Sequence, residues 1–282
     1  MTIGVDLGGT HIRAGIHQRG QISKPKKELF RTKASLSQTL DQFKEFIRPF
    51  VSSGGQGIGI GVPSVVDVDK GIVYNVANIP SWLEVPLKEI LEEEFKIPVR
   101  VNNDVNCFIL GEHRYGLARG FRNVVGISCG TGLGSGIIIN NELYSGGNCG
   151  AGEIGLLHYL DHNIEYYASG NLFSACYNTT AEAAHQLALE GDETAKQWWQ
   201  VFGRHLAEAI KSVVFAYDPE AIVLGGSLSK AYGLFEAAMT ASLRDFPYPK
   251  SIEKLKIIQS KDPDISLLGA AALCARDAER IQ

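Results

Sequence analysis

Three glycine-rich turns, each directly behind an apolar run, constrain this chain more than any other feature. They are Asp6-Leu7-Gly8-Gly9-Thr10, Cys129-Gly130-Thr131-Gly132-Leu133-Gly134 and Gly225-Gly226-Ser227. Around the first, apolar residues alternate at Ile3, Val5 and Leu7, then at Ile12, Ala14 and Ile16. Period-two alternation on both sides of a glycine turn predicts a β-hairpin. The second turn repeats the plan, with Val125 and Ile127 ahead of it and Ile137 to Ile139 behind. Two strand-glycine-strand units so far apart in the chain predict two halves of related design.

Helical patterns lie between the strands. "SLSQTLDQFKEFIRPFVSSGG" puts Leu36, Leu40, Phe43, Ile47 and Phe50 on one face, opens on serines able to cap, and stops at Gly54-Gly55. "VPLKEILEEEF" starts a helix near Pro86, and a further helix is predicted from Asp104 to about Tyr115. "TAKQWWQVFGRHLAEAIKSVVFAYDP" is a long striped helix ended by Asp218-Pro219, followed by the strand "AIVLGGSL" and a helix from about Ser229. Strands mixed with helices make the fold class α/β. A length of 282 residues suffices for two lobes.

A net charge of -4 without any basic block argues against a grip on nucleic acid. Asp6, His11 and Arg13 interrupt any signal-peptide core, and no apolar run reaches the roughly 18 residues of a membrane span. The five cysteines are scattered without a C-x-x-C pair, which fits reduced thiols in a cytoplasmic protein.

Glycine lets backbone N–H groups approach phosphate oxygens, and a concave run of them holds an anion without a charged side chain. Neither the P-loop nor the Rossmann glycine pattern occurs. One glycine turn alone reads as a tight hairpin. Three of them, two with a threonine and one with an aspartate, favour a nucleotide. Asp6 ends a strand, where aspartate is a poor strand former and a good indirect ligand of hydrated Mg²⁺. Behind the buried strand "KIPVRV" stands "VNNDVNC", an acid with three amides. A helix cap needs only one such residue.

The ordered set "IGVDLGGTHIRAGI", "VNNDVNC", "GISCGTGLGSGIIINNELYSGGNCGAGEIG" and "IVLGGSL" resembles the ROK family of sugar kinases, within the actin-like superfamily. The resemblance runs from about residue 2 to residue 275. It implies two ribonuclease-H-like lobes with ATP and sugar in an interlobe cleft. The small lobe would be residues 1–103, completed by a C-terminal helix over about 266–282, and the large lobe 104–265. Asp6, Gly8, Gly9 and Thr10 would form the first phosphate loop, Gly130, Thr131 and Gly132 the second, and Gly225 with Gly226 the loop beside adenosine. Asp104 would be the general base and, with Asn103, a ligand of the sugar. Glu153 and Glu165 would hold hydroxyls on its other edge. A homodimer is implied too.

Plainer roles stand beside these: Asp104 as a helix cap, Glu165 as a solvated helix residue, and Trp82 as a core anchor rather than a neighbour of the sugar. The chain also departs from the family pattern. Zinc-binding members carry histidine where Leu156 stands, and "LLHYLDHNIEYYASG" has no cysteine, so no structural zinc is expected. His158 and His162 stand four apart, a spacing that a shared metal could use with Cys149 or Cys176 as distant help, but such a pair in a loop is more often hydrogen-bonded surface. Tyr159, Tyr166 and Tyr167 would have to order the segment of Glu165 by packing. Ser64 stands where the family often has glycine.

The expected activity is ATP- and Mg²⁺-dependent phosphorylation of a hexose, glucose first, at the C6 hydroxyl. N-acetylmannosamine is the runner-up, and fructose and allose stay open. From other classes come a sugar-binding protein with little catalytic activity and a sugar-responsive repressor. Repressors of the family carry an N-terminal DNA-binding segment, whereas here the first strand starts by residue 3.

Overall fold

The computed structural model describes residues 1–147 and 149–279. Two compact units divide the chain: residues 1–120, 142–151 and those from 262 onward form the first, and residues 121–141 and 152–261 the second. Residues 104–120 thus stay with the first unit, and the boundary falls after Gly120 rather than after Asn103.

The first unit opens with β1 (Thr2–Leu7), β2 (His11–Gln18) and β3 (Gln21–Leu29), an antiparallel meander. Leu7 faces Ile12 across the first glycine turn, as the alternation predicts. Then come α1 (Leu36–Ser52), β4 (Ile58–Val62), the short β5 (Val65–Asp67), β6 (Ile72–Tyr74) and β7 (Glu84–Val85), α2 (Leu87–Phe95), β8 (Val99–Asn103) and α3 (Asp104–Arg114). The main sheet runs β3-β2-β1-β4-β8, with β1, β4 and β8 parallel. A Ser35–Gln38 capping box starts α1, whose Phe43, Phe46, Ile47 and Phe50 are buried. Trp82 is fully buried with its ring against Phe30 and Phe43, and its indole N–H donates to Thr39 Oγ1 at 2.8 Å. It is a core anchor, which removes it from the sugar-facing candidates.

Further along come β9 (Val124–Cys129), β10 (Leu133–Ile139), β11 (Glu142–Tyr144), β12 (His158–Tyr159), β13 (His162–Asn163), α4 (Ile164–Tyr167), α5 (Gly170–Tyr177), α6 (Ala181–Leu189) and α7 (Glu193–Tyr217). The remaining elements are β14 (Ala221–Gly225), α8 (Tyr232–Ser242), α9 (Pro249–Lys254), β15 (Lys256–Gln259) and α10 (Ile265–Glu279). In the second unit β10, β9, β14 and β15 stand side by side in that order, with β9 antiparallel to β10 and parallel to β14. Cys129 faces Leu133 across the second glycine turn. Asp192 caps α7 through the Ala195 N–H, and Asp218 at φ +40° ends it before Pro219. Trp199 and Phe202 of α7 pack with Phe173 and Phe235 in the core of this unit.

Gly59 of β4 is explained by α10. A Cβ on Gly59 would lie 1.7 Å from the Ala270 carbonyl oxygen, and a Cβ on Gly269 would lie 1.7 Å from that of Cys107. Backbone meets backbone at both places, so α10 lies directly on β4 and on α3 and binds α3 to the first unit. No helix among the described residues is long and apolar enough to cross a membrane.

Candidate functional site

In the first unit, the C-terminal ends of β1, β4 and β8 bring the first group of candidates together. Asp6 pairs with Gly61, and Gly61 with Asn102. Neighbouring strands about 4.8 Å apart then place Asn102 about 10 Å along the sheet edge from Asp6. In open α/β sheets that edge is where ligands bind. Gly9 and Thr10 are exposed at the tip of their turn, which is closed by the Gly8 N–H donating to the His11 carbonyl at 2.9 Å. A Cβ on Gly9 would meet Asn78 Nδ2 at 2.7 Å, so Asn78 joins this edge without any motif to announce it. Burial raises the Asp6 carboxyl above its ordinary range, and the Arg13 guanidinium 3.8 Å away pulls it back. Arg13 also holds Asp264, 251 residues along the chain.

"VNNDVNC" resolves into separate tasks. Asn103, not Asp104, caps α3: its Oδ1 accepts from the N–H groups of Val105 at 2.9 Å and Asn106 at 3.2 Å. Asn102 is buried, and its Oδ1 accepts from the Asn103 N–H at 2.8 Å, from Asn106 Nδ2 at 2.9 Å and from the Cys149 thiol at 3.3 Å. These bonds fix the turn from strand into helix. Asp104 follows as the first helical residue, half-buried, where the helix dipole favours an acid. Its Oδ1 shares the Val105 N–H at 2.9 Å. Beneath it, burial pushes the Cys107 thiol well above its usual value, and the charges of Asp104 and Asp6 add to the effect. The cap commits Asn103 Oδ1, so its Nδ2, 3.4 Å from the Ser64 carbonyl, is the group it can offer a ligand. The Ser64 hydroxyl itself donates to the Tyr74 carbonyl.

In the second unit, the parallel pairing of β9 and β14 sets Gly225 opposite Ser128, so the second and third glycine turns lie side by side. Gly226 has φ +81°, and a Cβ there would sit 2.1 Å from the Cys129 carbonyl oxygen. Only glycine fits that approach. Within the second turn the Gly130 N–H donates to the Gly132 carbonyl at 2.9 Å, and the Gly130 carbonyl accepts from the Gly170 N–H at 2.8 Å. Thr131 is exposed at the tip.

Glu153 and Glu165 reach the same region by irregular routes. Gly152 presses on β10, where a Cβ would lie 2.1 Å from the Ser135 carbonyl oxygen, and Ser135 Oγ donates to the Gly152 carbonyl at 2.6 Å. That pins Glu153 next to β10. Glu165 stands on α4, which Asn163 caps through the Tyr166 N–H at 2.8 Å. Its Oε2 accepts from the Leu133 N–H at 2.8 Å, directly behind the second turn. Burial, and then the charge of Glu165, raise the Glu153 carboxyl.

The segment around Glu165 is ordered by rings. Tyr159 meets Tyr167 edge-on at 5.6 Å, Tyr166 meets Tyr167 at 4.8 Å, and His162 stacks on Tyr166 at 3.9 Å. His205 of α7 completes the group, with Nδ1 3.1 Å from the Tyr159 hydroxyl. His162 is thus a stacking partner, while His158 lies opposite Asn163 in a two-strand hairpin. Among the described residues no three His, Cys, Asp or Glu side chains gather as a metal site. A separate cavity of about 450 Å³ in the first unit is lined by Val65, Asp67, Asp69, Tyr74 and Cys149, among others, and by none of the expected site residues.

Known proteins share this plan. The ROK family model matches residues 2–277. A glucokinase of Halalkalibacterium halodurans is 35% identical over 206 residues, 62% of each chain. A glucokinase of Thermotoga maritima is 27% identical over 305 residues, 96% of each. The crystal structure of a ROK family glucokinase from Streptomyces griseus, in complex with glucose and AMPPNP, aligns with a TM-score of 0.82 at 27% identity, over 96% of this chain and 98% of that one. The family match extends from the first strand into the last helix, across every turn and acid described above, and this chain therefore belongs to the ROK family.

Proposed function

We infer that this protein is an ATP-dependent sugar kinase, and propose that its acceptor is glucose and the reacting group the C6 hydroxyl. Phosphoryl transfer asks little covalent help from a protein beyond alignment, charge neutralisation and a carboxylate for the alcohol proton. Asp104 takes that proton as the hydroxyl oxygen attacks the γ-phosphorus, and the bond to the bridging oxygen breaks to leave ADP. Asn103 Nδ2, Glu153 and Glu165 hold the other hydroxyls. The Gly8 and Gly130 N–H groups close their own turns, which leaves the N–H groups of Gly9, Thr10, Thr131 and Gly132 for phosphate oxygens, while Gly225-Gly226 lies beside adenosine. The largely buried Asp6 carboxylate at the end of β1 would hold a Mg²⁺ brought by the nucleotide through water, and the ion would spread the phosphate charge.

The observation that carries this reading is the division of labour at the start of α3. Asn103 caps two N–H groups and Asp104 only shares one of them, so capping does not require the acid. Coupled ADP release over glucose, N-acetylmannosamine, N-acetylglucosamine, fructose and allose tests it. Glucose should give the highest kcat/KM, and chelation of Mg²⁺ should stop turnover. ADP release with none of these sugars would leave a binding protein instead. Assembly as a homodimer rests on the family resemblance, and sedimentation equilibrium checks it.

A further inference from the structure

One of the expected sugar ligands also touches a phosphate loop. Glu165 stands among the groups expected to hold sugar hydroxyls, yet its Oε2 is bound to the Leu133 N–H, one residue past Gly132. The fit is close: a Cβ on Gly132 would lie 2.5 Å from that Oε2 and 3.8 Å from Oε1. On its other side, a Cβ on Gly155 would lie 3.3 Å from Glu165 Cβ. The side chain is thus wedged between the phosphate loop and the "GAGEIG" segment, with one oxygen on the loop and the second oxygen still able to accept from a ligand.

We propose that Glu165 is a positioning residue that couples the sugar to the phosphate loop, so that acceptor and nucleotide strengthen each other's binding. The inference rests on the sugar-kinase reading and deepens it. The four-residue α4 has little backbone hydrogen bonding of its own and is held by its cap and by rings. A hydroxyl donating to Oε1 adds the contact that fixes the carboxylate, and the fixed carboxylate fixes the Leu133 N–H and the turn before it. Donation from the same sugar also offsets the repulsion between Glu153 and Glu165. Linkage requires the effect to be reciprocal.

Calorimetric titration of AMPPNP into the full chain, with and without saturating glucose, tests the coupling. In the parent, glucose should tighten AMPPNP by about 5-fold or more, the lower end of usual coupling. Gly132→Ala removes no sugar-facing side chain but puts a methyl group where the carboxylate of Glu165 lies, so that it must leave the Leu133 N–H; it should bring the ratio close to unity. Glu165→Ala, saturated at its own higher glucose concentration, should do the same, while Glu165→Gln retains an acceptor for Leu133 and part of the ratio. A parent ratio of unity with both ligands bound, or a full ratio surviving in Gly132→Ala and Glu165→Ala, overturns the coupling alone. Failure of the parent to bind any sugar of the panel overturns the kinase reading, and the coupling with it.

Discussion

Asp104 and Glu165 are both acids next to an expected ligand, but the chain holds them in opposite ways. Asp104 opens an 11-residue helix that follows a central-sheet strand, and four amide-based hydrogen bonds fix the turn before it. Glu165 sits on a four-residue helix held by an asparagine cap, a cluster of rings and one bond to a loop. The first arrangement is rigid and suits a group that must meet a proton at a fixed place. The second has few regular bonds to lose, and suits a group whose place depends on what is bound.

The contrast can be broken most forcefully at Asp104. Asp104→Asn keeps the shape and should lower kcat by about 10² to 10⁴, with glucose affinity by calorimetry little changed. Near-normal turnover would remove the base from Asp104. The rigid side also depends on α10, so Gly59→Ala, which drives a methyl group into the Ala270 carbonyl, should cost about 3 kcal/mol or more in urea unfolding. An unchanged midpoint would show that α10 does not press on β4.

Asn103 offers a finer test because it does two jobs. Asn103→Ala should lose about 1 kcal/mol of stability with the cap. Asn103→Asp keeps the cap and the stability, but loses the amide donor and should raise the glucose KM. A cap role alone would leave that KM unmoved.

The smallest effect concerns the soft side. Glu153 has its carboxyl raised from the ordinary 4.5, first by burial and then by Glu165. A raised folded value means that the folded chain holds this proton more tightly than the unfolded one. The stabilising contribution is therefore complete below pH 4.5 and lost as pH rises through the folded value. Glu153→Gln cannot ionise, so its melting temperature should pull slightly ahead of the parent's only above that range. A constant difference from about pH 4 to pH 8 would show that the Glu153 carboxyl is not raised in the folded chain.

What could be read in the sequence follows the same division. Both hairpins, α1, α3 and α7 follow from periodicity, caps and glycines, which act within a few residues. "VNNDVNC" advertised a site because it carries more polar groups than a cap needs, although which amide does the capping required coordinates. β3 was illegible: "QISKPKKEL" is an almost wholly exposed edge strand, with lysines and a proline instead of alternation. α5, α6 and the small β5-β6-β7 sheet carry equally weak patterns. The supports of the site were illegible for a different reason. Glu165 finds Leu133 32 residues away, Tyr159 finds His205 46 away, and Arg13 finds Asp264 251 away. No local pattern encodes such pairs. The same blindness put the unit boundary at Asn103, since the packing of α10 on α3 joins distant parts of the chain.

The central claim is that the Asp104 carboxylate receives the proton of the hydroxyl being phosphorylated. A crystal structure of the parent chain with glucose and AMPPNP measures this most directly. The account expects an Asp104 carboxylate oxygen about 2.6 to 3.2 Å from the C6 hydroxyl. A bound glucose whose C6 hydroxyl faces another residue, with no sugar oxygen in reach of Asp104, would contradict it.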